Sequence, residues 1–283
     1  MMGRFWASLP ETRMGASDDI GGIMLKSCRA LLAALSLSLA VAAPAYAQEK
    51  TGAKPGFSLK PGTARIVLMR PSIRVGAQST GGMYEPNADW TDQAKENIAA
   101  ALDKAQTGLG NSVVAYAAPL GADGAKVAEY QELFGAVASS VIEYQFFKGN
   151  RLPTKKRKDQ FEWGLGPDVR TLPGLDTADY ALFITTEDHF GSTGRKVLQV
   201  FAAMARIPVA AGVHKGFAGL VDLRTGDLVW LHADMQMGGD VRDAEGADKR
   251  VRQLLEGFPG KPVEAPIVAA PAIAASPAIA SAP

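Results

Sequence analysis

The chain has 283 residues, of which 47% are hydrophobic and 21% charged, and a formal net charge of +1. This is the composition of an ordinary globular protein, and the near-neutral balance argues against a chain that wraps nucleic acid or lies on an acidic membrane. A single cysteine, Cys28, excludes an internal disulfide framework and a zinc site built on cysteines.

The first 47 residues read as targeting sequence. Lys26 and Arg29 supply a positive start, Ala30 to Ala43 an apolar stretch, and Ala45-Tyr46-Ala47 a small-residue cleavage site. Residues 24–47 are therefore expected to be a signal peptide cut after Ala47, with residues 1–23 an upstream extension from a mis-assigned start. The apolar stretch is short for a membrane span, so membrane contact is expected only through this segment. Export without cysteines in the mature chain points to the bacterial periplasm. Residues 48–62 read as a polar Pro/Gly linker, and residues 261–283 as an Ala/Pro tail with no core pattern. Between them, residues 63–260 are long enough for one domain.

Ala64 to Arg70 is an apolar run ended by Pro71, and reads as a buried strand. Residues 72–87, with Gly81-Gly82, read as a long irregular connection. Asp89-Trp-Thr-Asp opens a helix on which Trp90, Ala94, Ile98, Ala101 and Leu102 recur at helical spacing until Gly108. Ser112 to Ala118 is a second strand, stopped by Pro119.

Ala125 to Lys148 reads as one long helix. Val127, Tyr130, Phe134, Val137, Val141 and Tyr144 form one stripe, and Leu133, Ile142 and Phe146 a second. A helix apolar on two faces is covered on both, within the fold or by a partner chain. Residues 150–177 read as a connection carrying the basic run Lys155, Lys156, Arg157 and Lys158, then Trp163. Tyr180 to Thr185 is a third strand, followed by a loop over residues 188–194 and a short helix over 195–205, with a strand over Val197 to Phe201 as the alternative; residues 209–212 add a short strand.

Residues 216–234 read as a β-hairpin: Phe217, Val221 and Leu223 alternate along the first strand, Gly226 supplies the turn, and Leu228 to Ala233 returns with Trp230. A hairpin alone is marginal in water, so this one belongs to a larger sheet. A closing helix spans residues 243–258, with Ala247, Val251, Leu254, Leu255 and Phe258 on one face.

Chemistry is sparse. His189 follows a strand, His214 and His232 flank strands, and Asp234 stands two residues past His232 on the same face. Imidazole and carboxylate suit zinc or iron, so a metal-dependent hydrolase on these four residues is one reading. No metal-binding spacing connects them, and the plain alternative is three unrelated histidines. Gly191 to Lys196 places glycines, Arg195 and Lys196 before a helix, where an anion or nucleotide could sit. It lacks the P-loop spacing, and a simple helix cap is the alternative. The 155–158 run is a solvated loop or a contact for acidic polymer. Trp90, Tyr130, Trp163 and that run are the candidate contact surface.

The order strand, helix, strand, long helix, hairpin, with the phrase Leu220-Val-Asp-Leu-Arg-Thr-Gly-Asp-Leu-Val-Trp230, resembles bacterial envelope proteins of the curli-secretion-protein and TolB amino-terminal class. The resemblance implies a mixed sheet and a role in envelope assembly or interaction, and it transfers no catalytic residue. The chain departs from lipoprotein members by lacking a cysteine placed for lipid attachment, and it has a longer insertion at residues 149–177.

The expectation is therefore an α/β single domain: a mixed, largely antiparallel sheet of four to six strands packed by three or four helices. It is read as a periplasmic binding or envelope-assembly module, without cofactor, metal or nucleic acid, contacting envelope proteins or itself.

Overall fold

The structure is a computed structural model, and it describes residues 49–147, 150, 160–210 and 212–260. The expected extension, signal peptide, basic run 155–158 and C-terminal tail lie outside these residues. The described residues all fall in one unit, Gln48–Pro283.

The elements run β1 (Glu49–Ala53), β2 (Arg65–Leu68), β3 (Ser72–Gln78), β4 (Tyr84–Pro86), α1 (Ala88–Gln106), β5 (Ser112–Ala115), α2 (Gly121–Val141), β6 (Trp163–Gly164), β7 (Tyr180–Gly191), α3 (Thr193–Met204), β8 (Gly212–Asp222), β9 (Asp227–Asp234) and α4 (Ala244–Leu254). The main sheet order is β1-β9-β8-β7-β2-β5, with β3 and β4 continuing beside β7, and β6 on β9. The sheet is mixed: β2 runs parallel to β5 and to β7, and β3 parallel to β7, while the remaining pairs are antiparallel.

Alternation along the strands sends side chains to both faces, and helices cover both. On one face α1 (Ala94, Ile98, Ala101, Leu102) and α4 (Ala247, Val251, Leu254) pack on Ile66, Leu68, Leu182, Ile184 and Leu220. On the other, α2 (Val127, Phe134, Ala138, Val141) packs on Val67, Ala181, Phe183, Phe217 and Leu231, with Phe161, Leu165 and Val169 completing that core. The α1 start is set by Asn87, whose side-chain oxygen accepts a hydrogen bond from Trp90 N at 2.9 Å; Asp243 does the same for α4 with Gly246 N at 2.7 Å.

The hairpin is formed as its turn chemistry demands. Gly226 has φ +77°, and its amide donates to Asp222 O at 2.8 Å. All five apolar residues that marked its strands, Phe217, Val221, Leu223, Leu228 and Trp230, are buried. They do not share a face, because a bulge intervenes: Leu220 stands opposite Trp230 and Val221 opposite Leu228. Val229 and Trp230 thus both face the α1/α4 core, while Leu228 and Leu231 face the α2 core.

Six expectations are corrected. The sheet has nine strands, not four to six. The 48–62 linker contains β1, which pairs with β9 (Thr51 opposite His232). The 72–87 connection contains β3 and β4. The 188–194 loop is in its first half strand, since β7 continues to Gly191 between β3 and β8. The 150–177 connection carries β6 and a 3₁₀ turn at Pro167–Thr171. The long helix starts earlier than expected and ends in a widened turn, Ile142–Phe146. Of its second stripe, Ile142 is buried and Phe146 half-buried, whereas Leu133 is 40% exposed.

Candidate functional site

β7 is longer than β2, its parallel neighbour, so its second half projects between β3 and β8. Alternation there sends Thr186, Asp188 and Phe190 toward α4 and Glu187 and His189 the other way. The polar residues of this extension form two separate clusters.

The first is buried. Asp188 and Arg250 are both fully inaccessible. Arg250 Nη1 and Nη2 donate to Asp188 Oδ2 and Oδ1 at 2.9 and 2.7 Å, a bidentate pair. The guanidinium also donates to Thr186 Oγ1 at 2.8 Å, Gly238 O at 3.2 Å and Gly239 O at 3.0 Å, which occupies all five of its N–H groups. Asp188 Oδ1 meets His214 Nδ1 at 2.8 Å, and Oδ2 accepts from Thr186 Oγ1 at 3.2 Å. Each carboxylate oxygen therefore has two donors. The cluster ties β7, β8, the Gly238-Gly239 turn and α4 into one unit.

Above it lies a half-buried rim. The His214 ring is 5.0 Å from Phe190. Arg242 lies over Phe190 at 3.7 Å and over Trp90 at 4.6 Å, two cation–π contacts. Arg242 also grips Asp240, with contacts of 2.9 Å from Nε to Oδ1 and 2.6 Å from Nη2 to Oδ2. Those bonds hold the Asp240 carboxyl below its ordinary range and push the Arg242 guanidinium higher still.

The second cluster faces α2. Glu187 pairs with Arg74 at 3.2 Å and Lys215 at 3.3 Å, and His189 Nε2 lies 2.9 Å from it without hydrogen-bond geometry. Tyr84 stacks on His189 with ring centres 4.2 Å apart. Burial holds the His189 imidazole below its ordinary value, although Glu187 opposes the shift; burial and Glu187 together raise Tyr84. A cleft of about 300 Å³ adjoins this cluster, lined by Ser72, Arg74, Gln131, Ser139, Glu187 and Lys215.

The histidines singled out in the sequence are not brought together. His214 is in the first cluster and His189 in the second. His232 is fully buried on β9, its Nδ1 2.8 Å from Thr51 Oγ1, and burial lowers its pKa. Asp234 lies at the end of β9 and accepts from Gln236 N at 2.8 Å. Among the described residues, no group of three or more His, Cys, Asp or Glu side chains is placed to hold a metal ion. In the Gly191–Lys196 segment, Ser192 caps α3 by accepting from Arg195 N at 3.3 Å. Arg195 itself is buried, its Nε donating to Ala210 O at 3.0 Å, so its charge is not presented outward. Trp90 belongs to the α1/α4 layer, whereas Tyr130 and Trp163 pack against the α2 core on the opposite face.

Sequence reading missed Arg250, Thr186, Arg242 and Asp240. Arg250 left a signal: it interrupts the apolar face of α4 beside Ala247, Val251 and Leu254, a place where a charge has to be paired. Arg242 and Asp240 sit in a loop and left none.

No family model matches the sequence, and no curated protein does. Among solved structures the chain is similar to PelC from Paraburkholderia phytofirmans, solved as a dodecamer. That match has 13% identity and a TM-score of 0.32, covering 73% of this chain and 93% of the other. A single-substitution variant of PelC, also a dodecamer, matches at 14% identity and a TM-score of 0.33, covering 73% and 94%.

Proposed function

We propose that the chain is an exported binding or envelope-assembly module of the periplasm that carries no reaction centre and acts by contacts with itself or with envelope proteins. One observation carries this reading. The most deeply buried polar chemistry of the fold, Asp188 with Arg250, is saturated by its own partners: every guanidinium N–H is used and each carboxylate oxygen has two donors. Such a cluster fixes geometry and offers no free lone pair to a substrate. The export signal in the sequence and the open apolar residues of α2 and of the widened turn after it support the same reading. Leu133 is 40% exposed, and Tyr144 and Phe147 41% each, on the layer that also holds Tyr130 and Trp163. Lys155, Lys156, Arg157 and Lys158, expected contact residues, follow this helix in sequence and lie outside the described residues.

The test uses residues 48–283, the compact unit. Light scattering after size exclusion is expected to give a mass that is a multiple of the monomer, or immobilised protein is expected to retain an envelope protein. Leu133→Glu with Tyr144→Glu should remove that association while leaving the melting temperature within a few degrees, since both side chains are partly exposed. A monomer at every concentration that retains nothing from envelope extract overturns the proposal.

A further inference from the structure

Helix α3 is turned inside out. Arg195, Gln199 and Ala202, at i, i+4 and i+7, are its least exposed positions. Its apolar residues face outward: Val197 is 51% exposed, Val200 57%, Phe201 63% and Met204 75%. An amphipathic helix on a globular body ordinarily buries those residues. Here the polar stripe goes in because the body offers it partners. Arg195 donates to Ala210 O at 3.0 Å and approaches Ser79 O at 3.5 Å. Just past the helix Ile207 is exposed as well, at 59%.

The chain segment that carries this helix is basic. Between Asp188 and Asp222 the sequence contains no acidic residue; of its four cations Arg195 is buried and Lys215 pairs with Glu187, which leaves Lys196 and Arg206. Lys196 and Arg206 are exposed, the first in the opening turn of α3 and the second two residues past its end, so they flank the apolar stretch. The chain's net charge of +1 averages this segment against acidic residues elsewhere.

We propose that the outward face of α3 docks on an anionic lipid surface. A helix of 12 residues is well short of the roughly 20 needed to span a bilayer, so it lies in the plane of the interface. Val197, Val200, Phe201 and Met204 enter the acyl boundary, and Lys196 and Arg206 reach the headgroup phosphates. A second copy is a poorer occupant, because the segment supplies no acidic partner for those cations. This inference stands apart from the contact surface on α2.

The test is co-sedimentation of residues 48–283 with vesicles of phosphatidylcholine alone or doped with phosphatidylglycerol. Doped vesicles are expected to bind about tenfold more tightly, and salt should weaken the preference. Phe201→Ser with Met204→Ser should reduce binding by about tenfold at an unchanged melting temperature, and Lys196→Glu with Arg206→Glu should abolish the preference for doped vesicles. Leu133→Glu with Tyr144→Glu should leave vesicle binding intact, which separates this result from the self-association test. Three results would overturn the proposal: no binding to either vesicle; equal binding by wild type and the Phe201/Met204 variant; or a wild-type oligomer that this variant converts to monomer without any vesicle binding, which would make a second copy the occupant.

Discussion

Arg250 and Asp188 meet 62 residues apart in sequence with no donor or acceptor left over. Two charges taken fully out of water are held only while each keeps its partner. Arg250→Met leaves a buried carboxylate with half its donors and should cost about 3–5 kcal/mol in urea unfolding. Asp188→Leu combined with Arg250→Met should cost less than Arg250→Met alone, because the orphaned charge is gone. Additive losses would show that the pair is not coupled. The buried imidazoles set a pH window. Burial holds His189 and His232 below the ordinary value of 6.5. The unfolded chain therefore takes up protons that the folded chain refuses, so stability is full above about pH 6.5 and declines as pH falls through that value. Asp227, held low by Lys54, and Asp240, held low by Arg242, contribute stability that is lost only at lower pH, below about 4. Denaturant midpoints measured from pH 8 to 5 should fall for wild type, and His232→Gln should flatten part of that slope; an unchanged slope would remove His232 from the account.

Turns act over a few residues, and the hairpin turn was the most legible feature; the α1 cap was not, since Asn87 and not Asp89 supplies the capping oxygen. Gly226 shows why the turn stood out. It has φ +77°, and an added Cβ would run into the Gly166 carbonyl group on the neighbouring segment. Gly226→Ala should cost about 2 kcal/mol or more. Gly62 has a similar φ of +74° but open space around it, so Gly62→Ala should cost clearly less. Equal losses would mean that strain alone, without the clash, governs both sites. The elements that sequence reading missed depend on distant partners. Glu-Lys-Thr-Gly-Ala of β1 has no apolar alternation and becomes a strand only because β9 pairs with it, Thr51 against His232. Glu187-Asp188-His189 has the composition of a loop, and it stays extended because Arg250, Lys215 and Arg74 answer its charges. No local pattern announces such a pairing.

The whole molecule is a sheet with two cores, and the near-continuous apolar strands that two covered faces require were visible from the start. Its surface was not, because which side of a helix is covered depends on what the body offers it. α2 and α3 have comparably apolar sequences. The body covers much of α2 and turns α3 outward. Composition fails for the same reason: a net charge of +1 hides the acid-free stretch around α3. These surfaces, rather than a pocket, are where the chain is proposed to act. The most direct test is the mass of residues 48–283 in solution, measured by light scattering across a hundredfold range of concentration, alone and with envelope extract. The account predicts a mass above the monomer, or a retained partner, lost in the Leu133→Glu, Tyr144→Glu variant; a monomer that binds nothing, indistinguishable from that variant, would contradict it.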